Sequence, residues 1–190
     1  MPSRFLTALV SVLLVCAVGG LSPASAADIE DYASYDPQTR CSSVARPGTQ
    51  FLLRWLVRKY PNTSAGSTNR ACSGGSSEHK DGRALDWTVD ADRPAQAASA
   101  EALLARIFAT DRAGNTHALA RRMGIMYVIW NDHIYASYRQ FEKRGYLSSS
   151  CSSRRKCSKT LRHRDHVHIS LSRDGAAALT SFYTRRDVPR

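Results

Sequence analysis

One long apolar run constrains this chain more than any other feature, and it lies at the extreme N-terminus. Phe5 to Leu21 is interrupted only by Thr7, Ser11, Gly19 and Gly20. Nothing later in the 190 residues repeats it, so a polytopic membrane protein is excluded. Arg4 ahead of the run and Ala24-Ser25-Ala26 behind it have the layout of a cleavable export signal, with a mature start predicted at Ala27. Gly19-Gly20 and Pro23 suit a permanent anchor poorly, and bulky Val15 before Cys16 argues against lipid attachment there. A secreted or cell-wall location follows, with no membrane association once the signal is removed. Hydrophobic residues at 43% and charged residues at 23% exclude an intrinsically disordered chain. The expected division is signal peptide 1–26, irregular arm 27–47, and one folded domain 48–190.

Export changes the reading of the cysteines. Setting Cys16 aside, the five cysteines leave Cys41, Cys72, Cys151 and Cys157, an even set that predicts two disulfides in an oxidising compartment. Three connectivities are open. Cys41–Cys72 with Cys151–Cys157 is favoured, because the second pair closes a short loop rich in Ser and Arg that has no core residues to order it. No C-x2-C spacing supports a zinc ribbon.

The pattern of the remainder is α+β, with a small, mostly antiparallel sheet flanked by helices. Apolar residues at 52, 53, 56 and 57 predict an amphipathic helix over 49–60, stopped by Pro61. Residues 61–77 form a Gly- and Ser-rich loop, and 84–89 a short strand. Pro94 opens a helix over 94–109, and a second short one covers 115–122. Runs 125–130 and 133–138 read as strands of a hairpin joined by Asn131-Asp132. A long basic loop over 139–160, a strand at 166–171 and a closing helix over 174–185 complete the chain.

Chemistry gathers in two segments about 80 residues apart: Ser77 to Asp86, and His163-Arg164-Asp165-His166-Val167-His168. On a strand, residues i and i+2 share a side, so His166 and His168 project together while Val167 faces the core. A mixed imidazole and carboxylate set suits Zn2+, whose catalytic sites take three protein ligands and leave one position for water. Trp87 and Trp130 read as core rather than cleft, and His117 as a surface residue on a helix. Glu78 is equally placed for a hydrogen bond behind His79 or for solvent. Gly82 and Ala84 are expected to keep the backbone close to a metal and to allow tight packing. Arg70 and Arg83 could hold a substrate carboxylate, although strand alternation turns Arg83 away from Asp86.

Ser77-x-His79-x-x-Gly82-x-Ala84-x-Asp86 resembles the S-x-H-x-x-G-x-A-x-D pattern of the D-alanyl-D-alanine metallopeptidases, and the segment GRALDWT resembles a strand of the hedgehog signalling domain. His166-x-His168 followed by Ile169-Ser170 is similar to the second motif of the same superfamily, which includes the lysostaphin-type endopeptidases. The resemblance spans residues 48–185 and is densest in the two motifs. It implies a hedgehog/DD-peptidase-like fold, zinc held by His79, Asp86 and His168, and His166 beside the metal as a catalytic or oxyanion-stabilising group. His163-x-x-His166-x-His168 has the spacing of active-site histidines in the penicillin-insensitive murein endopeptidases of that superfamily. Asp165 matches the acidic base of its dipeptidase and carboxypeptidase branches. The chain carries both His163 and Asp165, so the base is open; Asp165 is the expected one, with a nearby His as the alternative, and His166 ranks first as a site residue. Asp165 can act only if 163–165 still belong to the loop before the strand.

What the resemblance implies is a zinc-dependent peptidase, a carboxypeptidase or an endopeptidase, acting on peptidoglycan stem or cross-link peptides. Some members of the fold keep zinc without turnover, so the alternative is a non-catalytic, zinc-stabilised module that binds cell wall or polyanion. The net charge is +11, from 27 Lys and Arg against 16 Asp and Glu. Arg154, Arg155, Lys156, Lys159, Arg162 and Arg164 cluster before the second motif, where a cationic rim would draw an anionic wall polymer. No helix-turn-helix, zinc finger or aromatic-basic run marks a specific nucleic-acid binder.

Overall fold

Proline punctuation and apolar spacing set the two main helices. In the computed structural model, which describes residues 29–42 and 44–185, α1 spans Pro47–Lys59 and α2 Pro94–Phe108, each with its proline in the first turn. α1 buries Leu52, Leu53, Trp55 and Leu56. It ends at Tyr60, whose extended φ of −118° is what Pro61 requires of the residue before it. α2 buries Ala100, Leu103, Leu104 and Ile107. The expected export signal and cleavage site lie outside the described residues, among which no helix is long and apolar enough to cross a membrane.

The strands are β1 (Ser64–Ala65), β2 (Ala84–Thr88), β3 (Ile125–Trp130), β4 (His133–Ala136), β5 (Lys143–Gly145) and β6 (His166–Leu171). They form one sheet in the order β1-β2-β6-β3-β4-β5, every neighbouring pair antiparallel. The fold is α+β, as the pattern predicts. Alternation divides the sheet into two faces. Leu85, Trp87, Val167, Ile169, Val128 and Trp130 are buried in one core with the apolar residues of α1 and α2. Trp87 packs on Tyr60 at 5.2 Å, and Trp130 donates through Nε1 to Glu101 of α2 at 3.1 Å, so both tryptophans serve the core. Asp86, His168 and Ile129 stand directly opposite one another on the other face.

A bulge decides which residues of β3 reach that face. Ile125 pairs with Leu171 but Tyr127 with Ser170, so Met126 is the extra residue. The slip reverses the phase of the rest of the strand, placing Tyr127 and Ile129 beside the histidines and Val128 and Trp130 in the core. The hairpin turn forms as expected, with Asn131 and Asp132 both at positive φ (45° and 64°). β4 ends at Ala136, and the sequence run beyond it turns into a 3₁₀ segment, Ser137–Arg139.

Several expectations change. The closing helix is two single turns, α4 (Arg173–Ala176) and α5 (Ser181–Thr184), separated by Ala178 at a φ of 63°. The helix expected over 115–122 begins only at Ala118 (α3, Ala118–Arg122), and His117 caps it in a left-handed conformation. His117 is half-buried among Tyr32, Phe108 and Phe141 with a 2.8 Å hydrogen bond to the Tyr32 hydroxyl, so it is no surface residue. The basic loop contains β5 and a 3₁₀ turn at Arg154–Lys156. Both disulfides form in the favoured connectivity, Cys41–Cys72 and Cys151–Cys157.

The described residues of 29–46 contain no helix or strand, yet they pack along the first motif. The Ser42 amide donates to the Lys80 carbonyl at 2.6 Å and the Arg46 amide to the Gly82 carbonyl at 2.9 Å. Gly82 allows tight packing here, as expected, and the arm is what packs against it. Its φ is +69°, and a Cβ would lie 2.4 Å from the Val44 carbonyl oxygen. Gly82→Ala is therefore expected to destabilise by about 2–3 kcal/mol through combined backbone strain and overlap. The urea midpoint reads this directly, and an unchanged midpoint would refute the account.

Candidate metal centre

The first motif builds half of the site from a buried turn and a strand. Residues Glu78–Asp81 form a 3₁₀ turn whose four side chains are all buried, closed by Gly82 in the left-handed region. Arg83 is also buried and is held by Asp81 at 2.9 Å and by the Leu171 and Asp36 carbonyls. It is a structural clamp rather than a carboxylate receptor, and Arg70 is exposed on the loop. From this base the chain enters β2, where Ala84 is fully buried and Asp86 turns to the open face.

The second motif supplies the other half. β6 lies between β2 and β3, which puts His168 directly opposite Asp86. His79 Nε2 is 3.1 Å from Asp86 Oδ1 and 3.2 Å from His168 Nδ1, and the third edge, His168 Nδ1 to Asp86 Oδ1, is 3.0 Å. His79 is wholly buried and His168 is 7% exposed. Protons cannot satisfy all three edges: when both ring nitrogens donate to Asp86, the His79–His168 edge sets two N–H groups against each other. A cation satisfies all three at once. Tetrahedral zinc bonds of about 2.0–2.2 Å would separate the ligands by roughly 3.3–3.5 Å, close to these edges. The His-Asp-His group can therefore hold a metal ion.

The electrostatics agree with that chemistry. Burial works against an ionised Asp86, but hydrogen bonds from His168 and His79 outweigh it and hold the carboxyl far below the usual carboxylate range. Burial lowers the pKa of His168, favouring the neutral imidazole a metal requires. The His168 Nε2 is 3.0 Å from the buried Ser170 hydroxyl, which fixes the ring with Nδ1 toward the triangle. The Tyr127 ring stacks on His168 at 5.6 Å and its hydroxyl donates to Glu78 at 2.7 Å. Burial first, then the Glu78 carboxylate, pushes the Tyr127 phenol up and keeps it protonated. Glu78 is thus a buried partner behind the site rather than a solvated side chain.

His163, Asp165 and His166 gather on one flank. β6 begins at His166, so Asp165 lies in the preceding loop, the condition under which it can approach the site. Its Oδ1 is 2.7 Å from His166 Nδ1, and its Oδ2 accepts from the Thr160 hydroxyl. His166 Nε2 in turn is 3.6 Å from Asp86 Oδ1. The His163 ring is 4.8 Å from His166 and 5.6 Å from His168, with Tyr146 edge-on behind it at 5.0 Å. Burial, reinforced by the neighbouring imidazoles, brings the His163 pKa down to about 3.

A family model described as VldE, C-terminal domain, matches residues 41–155, more than half of the chain. The chain belongs to the VldE C-terminal domain family. No curated protein and no solved structure matches it. The VldE match takes in His79 and Asp86 and stops before His163, Asp165, His166 and His168, so it bears on the first half of the donor set alone.

In this VldE-family chain, the loop that carries the second motif is anchored by acids. Lys159 pairs with Asp90 at 2.6 Å and Asp92 at 2.8 Å, and Arg164 pairs with Asp92. Arg162 bonds Asp132 through two nitrogens at 2.9 and 2.7 Å. Half of the expected cationic rim is therefore neutralised in place, and Arg155 and Lys156 remain exposed. The hairpin turn completes the anchor: the Asn131 amide donates to the His163 carbonyl at 2.7 Å and the Asp132 amide to the Arg162 carbonyl at 3.1 Å. Sequence patterns gave no signal for Asp132 or Tyr127, because each acts through a partner at least 30 residues away.

The Arg162 guanidinium holds the buried Asp132 carboxyl below its usual range. The folded pKa is thus below the unfolded value near 3.9, so the stabilisation is complete above about pH 4 and fades as pH falls through the folded value. Asp132→Asn keeps the turn conformation and removes the charge. It should lower the melting temperature at pH 7 by a few degrees, on the order of 1–2 kcal/mol. Melting both proteins from pH 7 to pH 2.5 should show the gap closing below about pH 4. A constant gap would contradict the ion-pair account.

Proposed function

We propose that the chain is an exported zinc-dependent hydrolase of peptide bonds in the stem or cross-link peptides of peptidoglycan. The observation that carries this reading is the pairing of a donor triangle with a carboxylate-held histidine on one open sheet face. Asp165 engages His166 Nδ1 at 2.7 Å while His166 Nε2 lies 3.6 Å from the triangle oxygen of Asp86. His79, Asp86 and His168 are the proposed zinc ligands. Zinc bound there would supply a Lewis acid and lower the pKa of water to about 7.

The chain's own groups divide the remaining work. Asp165 accepts the Nδ1 proton of His166, which leaves the lone pair at Nε2 and sets the tautomer of a general base. His166 takes the proton of the attacking water at Nε2 and later returns it to the leaving amine. Asp165 becomes a positioning residue that stabilises the imidazolium rather than the base itself. His163, across from His166, donates a hydrogen bond to the oxyanion.

Two disulfides support passage through an oxidising compartment, and the resemblance of both motifs to the D-alanyl-D-alanine metallopeptidases supports peptidoglycan peptides as substrate. The test is direct. Residues 27–190 are purified, zinc is quantified, and the zinc-loaded protein is incubated with purified muropeptides whose products are weighed by mass spectrometry. Cleavage at a defined peptide bond supports the proposal. Full zinc occupancy without cleavage of any muropeptide would replace it with a zinc-stabilised module that binds wall or polyanion. Failure to take up zinc would overturn both.

A further inference from the structure

The register of the sheet links the donor triangle to a cavity two and three strands away. Asp86, His168, Ile129, Ile134 and Arg144 are directly opposed in turn across β2, β6, β3, β4 and β5, so they form one row on one face. The row beside it runs Ala84, Ser170, Tyr127 and Ala136. Where these rows reach β4 and β5 lies a cavity of about 260 Å³, lined by Ile134, Ala136, Tyr138, Arg139, Glu142 and Arg144 among others. Its floor is apolar, and its outer end carries two guanidiniums, Arg139 and Arg144, against one carboxylate, Glu142. Tyr138, 42% exposed, forms a wall with Tyr35 edge-on at 5.7 Å. The Arg139 guanidinium has no acidic partner among the described residues. Arg144 reaches Glu142 only at 3.8 Å, with both side chains at least half exposed.

Strands about 4.8 Å apart put Ile134 roughly 10 Å and Arg144 roughly 14 Å from His168, and an extended peptide advances about 3.3 Å per residue. We infer that the substrate crosses the sheet from the donor triangle toward β5, with a free carboxylate three to four residues from the scissile bond held by Arg139 and Arg144. This rests on the hydrolase reading above and narrows it to acidic peptides. A free carboxylate off the peptide backbone is what Arg139, together with Arg144 in its long, exposed pair with Glu142, would select at the end of an apolar trough. A γ-linked glutamyl residue, which leaves its α-carboxylate free, is one such group.

The test uses the zinc-loaded chain and two probes. One is acetyl-L-Ala-γ-D-Glu-L-Lys-D-Ala-D-Ala, whose free α-carboxylate is on the third residue back from the terminal peptide bond. The other is the same peptide with that carboxylate converted to the carboxamide. Calorimetric titration at low salt should show the acid binding about five- to tenfold more tightly. Arg139→Ala with Arg144→Ala should bring the ratio to near one, and the matching Lys replacements should restore part of it. Arg155→Ala with Lys156→Ala, on the exposed loop outside the row, should leave the ratio as it was. If the peptides are cleaved, the preference should lie in KM rather than kcat. Equal affinities for the two probes, a preference that survives the Arg139 and Arg144 replacements, or binding of neither peptide overturns the inference. Cleavage without discrimination leaves the hydrolase standing and removes this inference alone. Discrimination without cleavage removes the hydrolase and leaves the carboxylate site.

Discussion

His79→Ala protein should retain no zinc after dialysis, where the unsubstituted chain holds one equivalent. The imidazole is wholly buried and contributes one corner of a triangle whose other corners are 3.1 and 3.2 Å away. With it gone, two ligands remain and the geometry no longer encloses an ion. Affinity should fall by well over a hundredfold, more than the roughly 10- to 100-fold loss expected when only a supporting group is removed. Ser170→Ala tests that lesser class, since its hydroxyl meets the far nitrogen of His168 at 3.0 Å. Folding stability should follow occupancy. A ligand at 100 times its Kd adds about 2.7 kcal/mol, so zinc should raise the melting temperature of the unsubstituted chain and leave His79→Ala unmoved. Chelation should reverse the rise. A His79→Ala protein that still carries stoichiometric zinc would rule out this donor set.

His166→Ala should separate metal binding from turnover. The proposed base is not a ligand, so zinc content should stay near one equivalent while muropeptide cleavage falls by about 10²- to 10⁴-fold, the range general acid–base catalysis contributes. Asp165→Asn should act through His166. Its carboxylate holds the Nδ1 proton at 2.7 Å, and an amide in its place cannot stabilise the imidazolium. The loss should be about tenfold or more, carried by kcat with KM little changed. If Asp165→Asn abolished cleavage while His166→Ala stayed active, the base would be Asp165 and the assignment would reverse.

Much of this site was legible because both motifs are local patterns tied to known backbone geometry. His166 and His168 had to share a side of a strand, and His79 and Asp86 stood seven residues apart in one motif. Tight packing at Gly82 was legible, but its partner was not, since Val44 approaches from an arm with no pattern of its own. Tyr127 was hidden for a different reason. Its side is set by a one-residue bulge at Met126, and nothing in the run 125–130 announces a slip of register. The basic residues before β6 showed their positions but not their partners. Asp90, Asp92 and Asp132 neutralise three of them from segments far along the chain, so charge counting alone overstated the cationic rim. The split of the closing helix turns on Ala178 at positive φ, a conformation its residue type gives no cause to expect.

The placement of β6 between β2 and β3 has a bearing on how the protein comes to be folded. His79 and Asp86 are seven residues apart, whereas His168 lies 82 residues beyond Asp86. An unfolded chain can offer an ion only the near pair, and bringing in the third donor means closing a loop whose entropic penalty grows as about (3/2)RT ln n. Metal capture therefore cannot nucleate folding from a local hairpin of ligands. It must wait until the last long strand inserts into the middle of the sheet. That ordering would make an ion held there a lock on completed topology, and the appearance of tight metal binding during refolding would time the insertion of β6.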